Sequence, residues 1–288
     1  QGYVCLEHNQ ETDIASLWNP AMKAHLARFL QAFAEHYRDS GIIDNILLGI
    51  TGNYGEAIYA ASGNDWTSGT HGEYHTHPGL WAGDPFAVAD FRRFLSEKYG
   101  DTAALSKAWG ADVPDIAQVK PFQRKDAPSD RAWLDFSEWY VGSMNDYTRF
   151  WLETLRKYYA GPAEVCTGGH APVEHGADFG MQCKIAAEFG AGVRITNESS
   201  DYRANFSLTR WVASASRQYG GHFSFEPAGV VTPEGVVGRI YNASASGAQR
   251  LHYYYPNIFS DEHAMDYWLR RAGEYRQRDP RVEIAVYY

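Results

Sequence analysis

The chain alternates between short apolar runs that resemble β-strands and longer stretches with helical periodicity. Runs of the first kind fall near residues 2–6, 45–50, 163–167, 193–196, 221–225 and 250–255. Helical stretches follow the later runs at about residues 177–189, 205–219, 232–245 and 261–276. Strands that alternate with helices are usually parallel and joined by crossover connections. This order predicts an α/β fold built on a parallel sheet or barrel.

Two further helical segments carry clear signals. Asn19 and Pro20 supply an N-cap and a first-turn proline, and the apolar residues that follow recur on one face, which predicts a helix over residues 20–38. Residues 130–159 carry aromatic and apolar side chains at spacings of three or four and are predicted to form one or two long helices. The stripe on residues 130–159 is interpreted as core.

Length and charge narrow the classes of function. The 288 residues are enough for one (β/α)8 barrel. The net charge of −9 and the lack of a Lys/Arg cluster argue against a nucleic-acid partner and an anionic membrane surface. No apolar run approaches the roughly 18 residues that span a bilayer, and the three cysteines form no CxxC pair. The compartment and the formation of a homo-oligomer are left open.

Two strand-like runs end in a glutamate. The run at residues 45–50 passes into a glycine-rich turn that ends in Glu56, and the run at residues 221–225 ends in Glu226. In a parallel barrel, the carboxyl ends of all strands open on one face, where catalytic groups collect. Hydrolysis of a glycosidic bond needs a pair of carboxyl groups, and a retaining enzyme places them about 5–5.5 Å apart. The two strand ends therefore predict glycosidase chemistry.

Several motifs resemble glycoside hydrolases of clan A, most closely the family 42 β-galactosidases. The similarity covers most of the chain and rests on the strand end Gly-Ile-Thr-Gly-Asn-Tyr-Gly-Glu, the helix that ends in Lys-Tyr-Gly, the following Ala-Trp-Gly, and the strand end Phe-Glu. These motifs lie at residues 49–56, 98–100, 108–110 and 225–226. The resemblance implies a (β/α)8 TIM barrel that acts on a carbohydrate without a cofactor.

In that clan the acid/base follows strand four and the nucleophile follows strand seven. If the chain begins at strand three, the resemblance implies that Glu56 is the acid/base and Glu226 the nucleophile. Clan members carry asparagine directly before the acid/base, whereas Gly55 precedes Glu56 here. The Asn-Glu dipeptide occurs instead at Asn197 and Glu198, so Glu198 is the alternative acid/base.

Other polar and aromatic residues near the predicted strand ends are candidates for substrate binding. Trp66 and Trp81 lie in a glycine-rich stretch without helical period, where they either stack on sugar rings or pack the loop down. Tyr202 is a candidate for a hydrogen bond to the nucleophile. The full set of predicted substrate-binding residues is Asn53, Trp66, Trp81, His170, Asn197, Glu198 and Tyr202.

A metal site is not predicted from the sequence. His71, His75 and His77 lie close together, but no neighbouring cysteine or carboxylate completes a ligand set at the usual spacing. The block at residues 57–85 that contains them is otherwise interpreted as a long, irregular loop beside the active site.

Only six strands can be counted in barrel order. We therefore expect residues 1–278 to form barrel strands three to eight, without the first two, and residues 279–288 to begin a following domain. The alternative is a complete barrel with two strands that the pattern does not reveal.

The predicted function is that of a retaining glycoside hydrolase that cleaves a β-linked sugar from an oligosaccharide or polysaccharide through a glycosyl-enzyme intermediate, as a β-galactosidase does. Two alternatives remain open. One is a non-catalytic carbohydrate-binding barrel, and the other is an inverting enzyme, whose carboxyl groups would lie about 6.5–9.5 Å apart.

Overall fold

The computed structural model describes residues 1–52, 54–61, 66–69, 72–168, 173–196, 201–226, 232–251, 262–271 and 273. The chain divides into two compact units. The first contains residues 1–44, 48–161 and 169–178, and the second contains residues 45–47, 162–168 and 179–288.

The first unit combines two β-hairpins with a set of helices. Its strands are β1 (Gly2–Val4), β2 (Glu11–Ala15), β4 (Trp66–Gly69) and β5 (Gly72–His75). Its α-helices are α1 (Pro20–Tyr37), α2 (Pro85–Tyr99), α3 (Thr102–Trp109) and α4 (Asp130–Arg156). Short 3-10 turns lie at Ile116–Gln118, Arg124–Asp126 and Val173–His175.

The first strand differs from the sequence-based expectation. Residues 2–6 were expected to form a parallel barrel strand, but β1 pairs antiparallel with β2 in a separate two-stranded sheet. The chain reverses at Asn9, which has a φ of 53°. Asparagine tolerates this left-handed conformation better than most residues. The apolar run alone did not reveal the reversal.

The helix predictions in this unit are confirmed. The side chain of Asn19 accepts a hydrogen bond from the Ala21 amide, 3.1 Å, at the start of α1. The stretch at 130–159 forms one helix, α4, and most of its predicted stripe is buried, including Phe136, Tyr140 and Met144. The stretch at 57–85 is less irregular than expected, because it contains the β4–β5 hairpin.

The second unit is built on a five-stranded parallel sheet in the order β3-β6-β7-β8-β9, a partial TIM barrel. The strands are β3 (Ile46–Leu48), β6 (Ala163–Thr167), β7 (Gly192–Thr196), β8 (His222–Glu226) and β9 (Arg250–Leu251). The helices are α5 (Phe179–Glu188), α6 (Tyr202–Gln218), α7 (Pro233–Ala245) and α8 (Glu262–Arg271). The predicted strand–helix order is confirmed for these elements.

One face of this sheet carries polar side chains in register. Cys166, Arg194 and Ser224 are paired across β6, β7 and β8, and Thr196 is paired with Glu226 one pleat further along. The alternate positions of the same strands are apolar, as in Val193, Ile195, Phe223 and Phe225. Because side chains of a strand alternate between faces, the two sets lie on opposite sides of the sheet.

Two predictions about where the barrel and the following domain begin and end stay predictions. The single barrel over residues 1–278 is not tested by the division into two units, and residues 279–288 lie outside the described part of the chain. Among the helices that the structure describes, none is long and apolar enough to cross a membrane.

Candidate functional site

Glu226 is the last residue of β8 and lies at the carboxyl end of the parallel sheet. The residue is buried, with 7% of its surface exposed. The preceding residues of the strand, Phe223 and Phe225, are almost fully buried. The strand therefore fixes the backbone that carries the carboxylate. This is the strand position at which barrel enzymes place catalytic groups.

A threonine and an arginine from the neighbouring strand contact this carboxylate. The hydroxyl of Thr196 donates to Oε2 of Glu226 at 3.2 Å. The guanidinium of Arg194 forms an ion pair with the same oxygen. Arg194 also donates to the hydroxyl of Thr196, 2.9 Å, and to Sγ of Cys166, 2.8 Å. A buried positive charge against Glu226 favours the ionised carboxylate.

A second buried carboxylate lies on the same sheet, toward the amino ends of the strands. Glu164 is fully buried and accepts hydrogen bonds from the Ser224 hydroxyl and from Nδ2 of Asn45, the latter at 2.9 Å. His222 Nε2 lies 3.9 Å from the same carboxylate. The sequence pattern did not predict this group. The sequence signal for it was that polar residues alternate with apolar ones along these strands, as at Glu164, Cys166, Arg194 and Ser224.

Glu56 belongs to the first unit and follows a tight loop. The amide of Ile50 donates to the carbonyl of Gly55 at 2.7 Å, and the amide of Thr51 donates to the carbonyl of Glu56 at 3.2 Å. Gly55 has a φ of 77°, and a Cβ atom added there would lie 3.2 Å from Cα of Gly49. The two ends of the loop therefore approach each other closely at Gly49 and Gly55. Glu56, at the end of this loop, is buried, with 7% of its surface exposed.

Several large aromatic residues pack together in the core of the first unit. Tyr59 and Tyr140 stack with ring centroids 3.9 Å apart, and Trp18 stacks on Tyr59 and Trp139 at 5.6 Å and 5.0 Å. Burial raises the pKa of both tyrosine hydroxyls well above the usual range. These rings are packing residues.

Trp81 is fully buried. Its indole N–H donates to the carbonyl of His77 at 3.2 Å, and its ring packs against the rings of His75 and His77. The burial favours the packing alternative for Trp81, because it leaves no ring face open for a sugar.

The remaining predicted residues are distributed as follows. Trp66 begins β4 and its backbone pairs with His75. Tyr202 is the first residue of α6, is exposed, and lies near the Phe206 ring at a centroid distance of 5.9 Å. Asn53, His170, Asn197 and Glu198 lie outside the described residues.

The structure brings together a group of metal-ligating side chains that the sequence did not predict. Cys5 and His8 lie beside His75 and His77, and one ligand atom from each lies within 4.8 Å of the others. His71, the third histidine of the predicted loop, lies outside the described residues. Spacing along the chain could not reveal this group, because Cys5 and His75 are 70 residues apart.

Comparison with solved structures gives similarities to glycoside hydrolases. The catalytic domain of β-amylase from Paenibacillus polymyxa matches with a TM-score of 0.68 and 16% identity, over 87% of this chain and 66% of that one. An exo-carrageenase of glycoside hydrolase family 42 from Bacteroides ovatus matches with a TM-score of 0.56 and 13% identity, over 84% of this chain and 35% of that one. An exo-β-agarase matches with a TM-score of 0.55 and 12% identity, over 83% and 33% of the two chains.

No protein-family model matches the chain, and the comparison with curated proteins gives no match. The chain spans 66% of the β-amylase domain and about a third of the other two chains. The identities are low, so the similarity concerns the fold. The chain shares the fold of TIM-barrel glycosidases.

Proposed function

We propose that this protein is a retaining glycoside hydrolase that cleaves a β-linked sugar, in the manner of a β-galactosidase, through a glycosyl-enzyme intermediate. In this proposal Glu226 is the nucleophile and Glu56 is the acid/base. The substrate is an oligosaccharide or polysaccharide.

The observation that carries the proposal is the position of Glu226. It is a buried carboxylate at the carboxyl end of a parallel strand, held by Thr196 and Arg194. A nucleophilic carboxylate must stay ionised near neutral pH, and a neighbouring guanidinium favours that state. Both contacts are made to Oε2. We therefore assign the attack on the anomeric carbon to Oε1.

In the first step, Oε1 of Glu226 forms a bond to the anomeric carbon while the acid/base protonates the departing glycosidic oxygen. In the second step, the same acid/base takes a proton from water, which displaces the Glu226 carboxylate and releases the sugar. We assign this second role to Glu56, which the glycine-rich loop presents directly after β3. Glu198 is the alternative for the same role.

The substrate class is proposed from the names of the similar structures. They describe a β-amylase, an exo-carrageenase and an exo-β-agarase, all enzymes that act on polysaccharides. A β-galactoside is the first substrate to test, because the sequence motifs resemble those of family 42 β-galactosidases. The proposed substrate-binding residues remain Asn53, Trp66, His170, Asn197, Glu198 and Tyr202, whereas the buried Trp81 is assigned to packing.

Chemical rescue tests the nucleophile. Glu226→Gly is expected to abolish turnover of an aryl β-galactoside with a good leaving group. Added azide should restore turnover and give the α-galactosyl azide, because azide attacks from the face that the missing carboxylate occupied. Glu188→Gln, at an exposed glutamate of the same unit, is the matched control and should keep wild-type turnover. Turnover by Glu226→Gly without azide would contradict the assignment.

The acid/base is tested with the same substrate. Glu56→Gln should slow cleavage of substrates with poor leaving groups much more than those with good ones, since only the former need protonation. Glu153→Gln, an exposed glutamate of α4, is the control. The same pattern in Glu198→Gln, with an unaffected Glu56→Gln, would transfer the role to Glu198.

The stereochemistry of the product separates the two hydrolytic mechanisms. Proton NMR during the first minutes of the reaction should show the β-anomer of the released sugar, as retention requires. Early release of the α-anomer would assign an inverting mechanism.

The ion pair between Arg194 and Glu226 is also compatible with the non-catalytic alternative. A glutamate paired with an arginine can be kept for its structural role in a barrel that binds sugars and no longer cleaves them. A wild-type protein that binds β-galactosides or agar oligosaccharides in calorimetry, and turns over none of the aryl glycosides, would establish a carbohydrate-binding barrel in place of the enzyme.

A further inference from the structure

Four side chains of the first unit converge at a point next to the β1–β2 hairpin. We call Cys5, His8, His75 and His77 the Cys–His cluster. Cys5 and His8 come from the turn that follows β1, whereas His75 ends β5 and His77 follows it. Cys5, His75 and His77 are buried, and His8 is exposed. The cluster therefore has a buried interior and one side open to solvent.

Two distances within the cluster agree with a tetrahedral metal site. Nε2 of His75 lies 3.4 Å from Sγ of Cys5 and 3.3 Å from Nδ1 of His8. With zinc–sulfur and zinc–nitrogen bonds of ordinary length, tetrahedral ligands are separated by about 3.6 Å for sulfur and nitrogen and about 3.4 Å for two nitrogens. A cation at the centre of these atoms needs only small adjustments of the side chains.

His77 is oriented as a metal ligand would be. Its Nδ1 lies 3.1 Å from the carbonyl oxygen of Pro78, an acceptor, so Nδ1 carries the proton and donates it. The lone pair of the neutral ring then lies on Nε2. This atom is buried and has no hydrogen-bond partner among the described residues. Metal-bound histidines typically donate their other N–H to a carbonyl or carboxylate, which fixes the tautomer.

The backbone holds the two halves of the cluster together without any cation. The amide of Leu6 donates to the carbonyl of Leu80 at 2.8 Å, and the amide of Leu80 donates to the carboxylate of Glu7 at 3.0 Å. Gly79 leaves room for the His77 ring, because a Cβ atom there would lie 2.5 Å from it. The ligand atoms are thus close before a metal arrives, which lowers the entropic cost of binding.

We propose that the Cys–His cluster binds a zinc ion through Cys5, His8, His75 and His77. A thiolate and imidazoles are ligands of zinc and not of magnesium or calcium, which prefer oxygen. Four protein ligands complete the tetrahedral shell, so the site has a structural role. The ion joins the turn after β1 to the segment after β5, and His8 provides the entry path from solvent.

Metal analysis of the full-length protein is the first test. Protein that is stripped with a chelator, loaded with zinc chloride and dialysed should retain one zinc ion per chain by mass spectrometry of the metals, as a four-ligand site predicts. Cys5→Ser and His77→Ala should weaken zinc binding by more than about 100-fold, the upper end of the cost of losing only an outer partner. Cys183→Ser, at a buried cysteine of the second unit, should bind zinc as the wild type does.

Cobalt gives a readout that is independent of activity. Cobalt-loaded wild type should show the intense visible bands of tetrahedral cobalt and a thiolate charge-transfer band in the near ultraviolet. Cys5→Ser should lose the charge-transfer band, and Cys183→Ser should keep it. If Cys5→Ser does not fold, chelation of the wild type remains decisive: removal of zinc should lower the melting temperature, and zinc should restore it.

A metal-free hydrogen-bonded cluster is the competing interpretation of the same contacts. Retention of less than one zinc per ten chains after loading, or a melting temperature that is indifferent to chelator and zinc, would overturn the proposal. Zinc binding that Cys5→Ser and His77→Ala leave unchanged would overturn it equally.

Discussion

Thr196 and Glu226 are paired across neighbouring parallel strands, and the threonine hydroxyl donates to Oε2 of the glutamate at 3.2 Å. Both residues are the last of their strands, and both are more than nine-tenths buried. The contact fixes one oxygen of the carboxylate. The orientation of the other oxygen, the proposed attacking atom, follows from it.

Removal of this hydroxyl is expected to lower catalysis and also to cost some stability, because Arg194 donates a hydrogen bond to it as well. Thr196→Val keeps the shape of the side chain and removes the donor. A hydrogen bond to a charged group is worth about 1.5–3 kcal/mol, so we expect kcat/KM for an aryl β-galactoside to fall by roughly 10-fold to 100-fold.

The matched control for this change is Thr209→Val. Thr209 is a buried threonine of α6 whose hydroxyl has no hydrogen-bond partner among the described residues. Its replacement should leave kcat/KM unchanged and slightly stabilise the protein, because it removes an unsatisfied polar group. Equal losses of activity in the two variants would show that Thr196 has no particular role.

The ion pair of Arg194 and Glu226 gives a prediction about stability. Arg194→Met leaves a buried carboxylate without its cation, and breaking a buried pair in this way costs about 3–5 kcal/mol. The double variant with Glu226→Gln should recover much of this loss, since no uncompensated charge remains. Unfolding in urea, followed by circular dichroism, measures all four members of this double-mutant cycle. Additive losses would mean that the two residues do not interact.

The outline of the fold was predictable because its signals are local. Proline and asparagine at residues 19–20 mark the start of α1, and the helical stripe in residues 130–159 marks α4. The order of strands and helices from β6 to α8 also follows from local periodicity. Each of these signals lies within the element that it predicts, so one sequence is enough to recognise it.

The reversal at Asn9 and the polar face of the sheet were not predicted, for different reasons. An apolar run such as residues 2–6 has the same pattern in a parallel strand and in a hairpin, so only the turn distinguishes them. Arg194 and Glu164 are buried charged residues, whereas polarity in a strand usually indicates a solvent-exposed face. Their burial depends on partners from other strands.

The candidate site was predictable only in part. Glu226 was predicted at a strand end and lies there. Its partner Arg194 was not, because the contact depends on the register of two strands. The Cys–His cluster depends on a contact between segments 70 residues apart. A short motif cannot encode contacts of this kind.

Asp135 in α4 gives a prediction about the dependence of stability on pH. Burial opposes its ionisation, but hydrogen bonds from Tyr99 and Trp109 and the ion pair with Lys98 outweigh burial and lower the pKa of the carboxyl. A lowered pKa in the folded state stabilises the protein above the unfolded-state value, about 3.9. This contribution is lost as the pH falls through the folded-state pKa.

Asp135→Asn should therefore destabilise the protein at neutral pH, by about 3 kcal/mol for a buried charge network, and the difference from wild type should shrink below roughly pH 4. Urea unfolding at a series of pH values measures the difference. Asp112→Asn, a substitution outside this network, is the control. A difference between wild type and Asp135→Asn that is constant from neutral to acid pH would contradict the assignment.

Gly55 gives a prediction that links the backbone to the proposed acid/base. Its φ of 77° is strained for a residue with a Cβ atom, and that atom would press on Cα of Gly49 at 3.2 Å. Gly55→Ala should cost about 1–2 kcal/mol and, by shifting the loop, lower kcat/KM. Gly49→Ala should cost less, because its Cβ atom would meet Gly55 only at ordinary contact distances of 3.6 Å and 3.7 Å.

Gly55→Asn introduces the residue that the resembling glycosidases carry before the acid/base, and asparagine tolerates a positive φ. It should retain more activity and stability than Gly55→Ala in melting and turnover assays. An Asn variant as impaired as the Ala variant would show that space beside Gly49, rather than backbone conformation, requires glycine there.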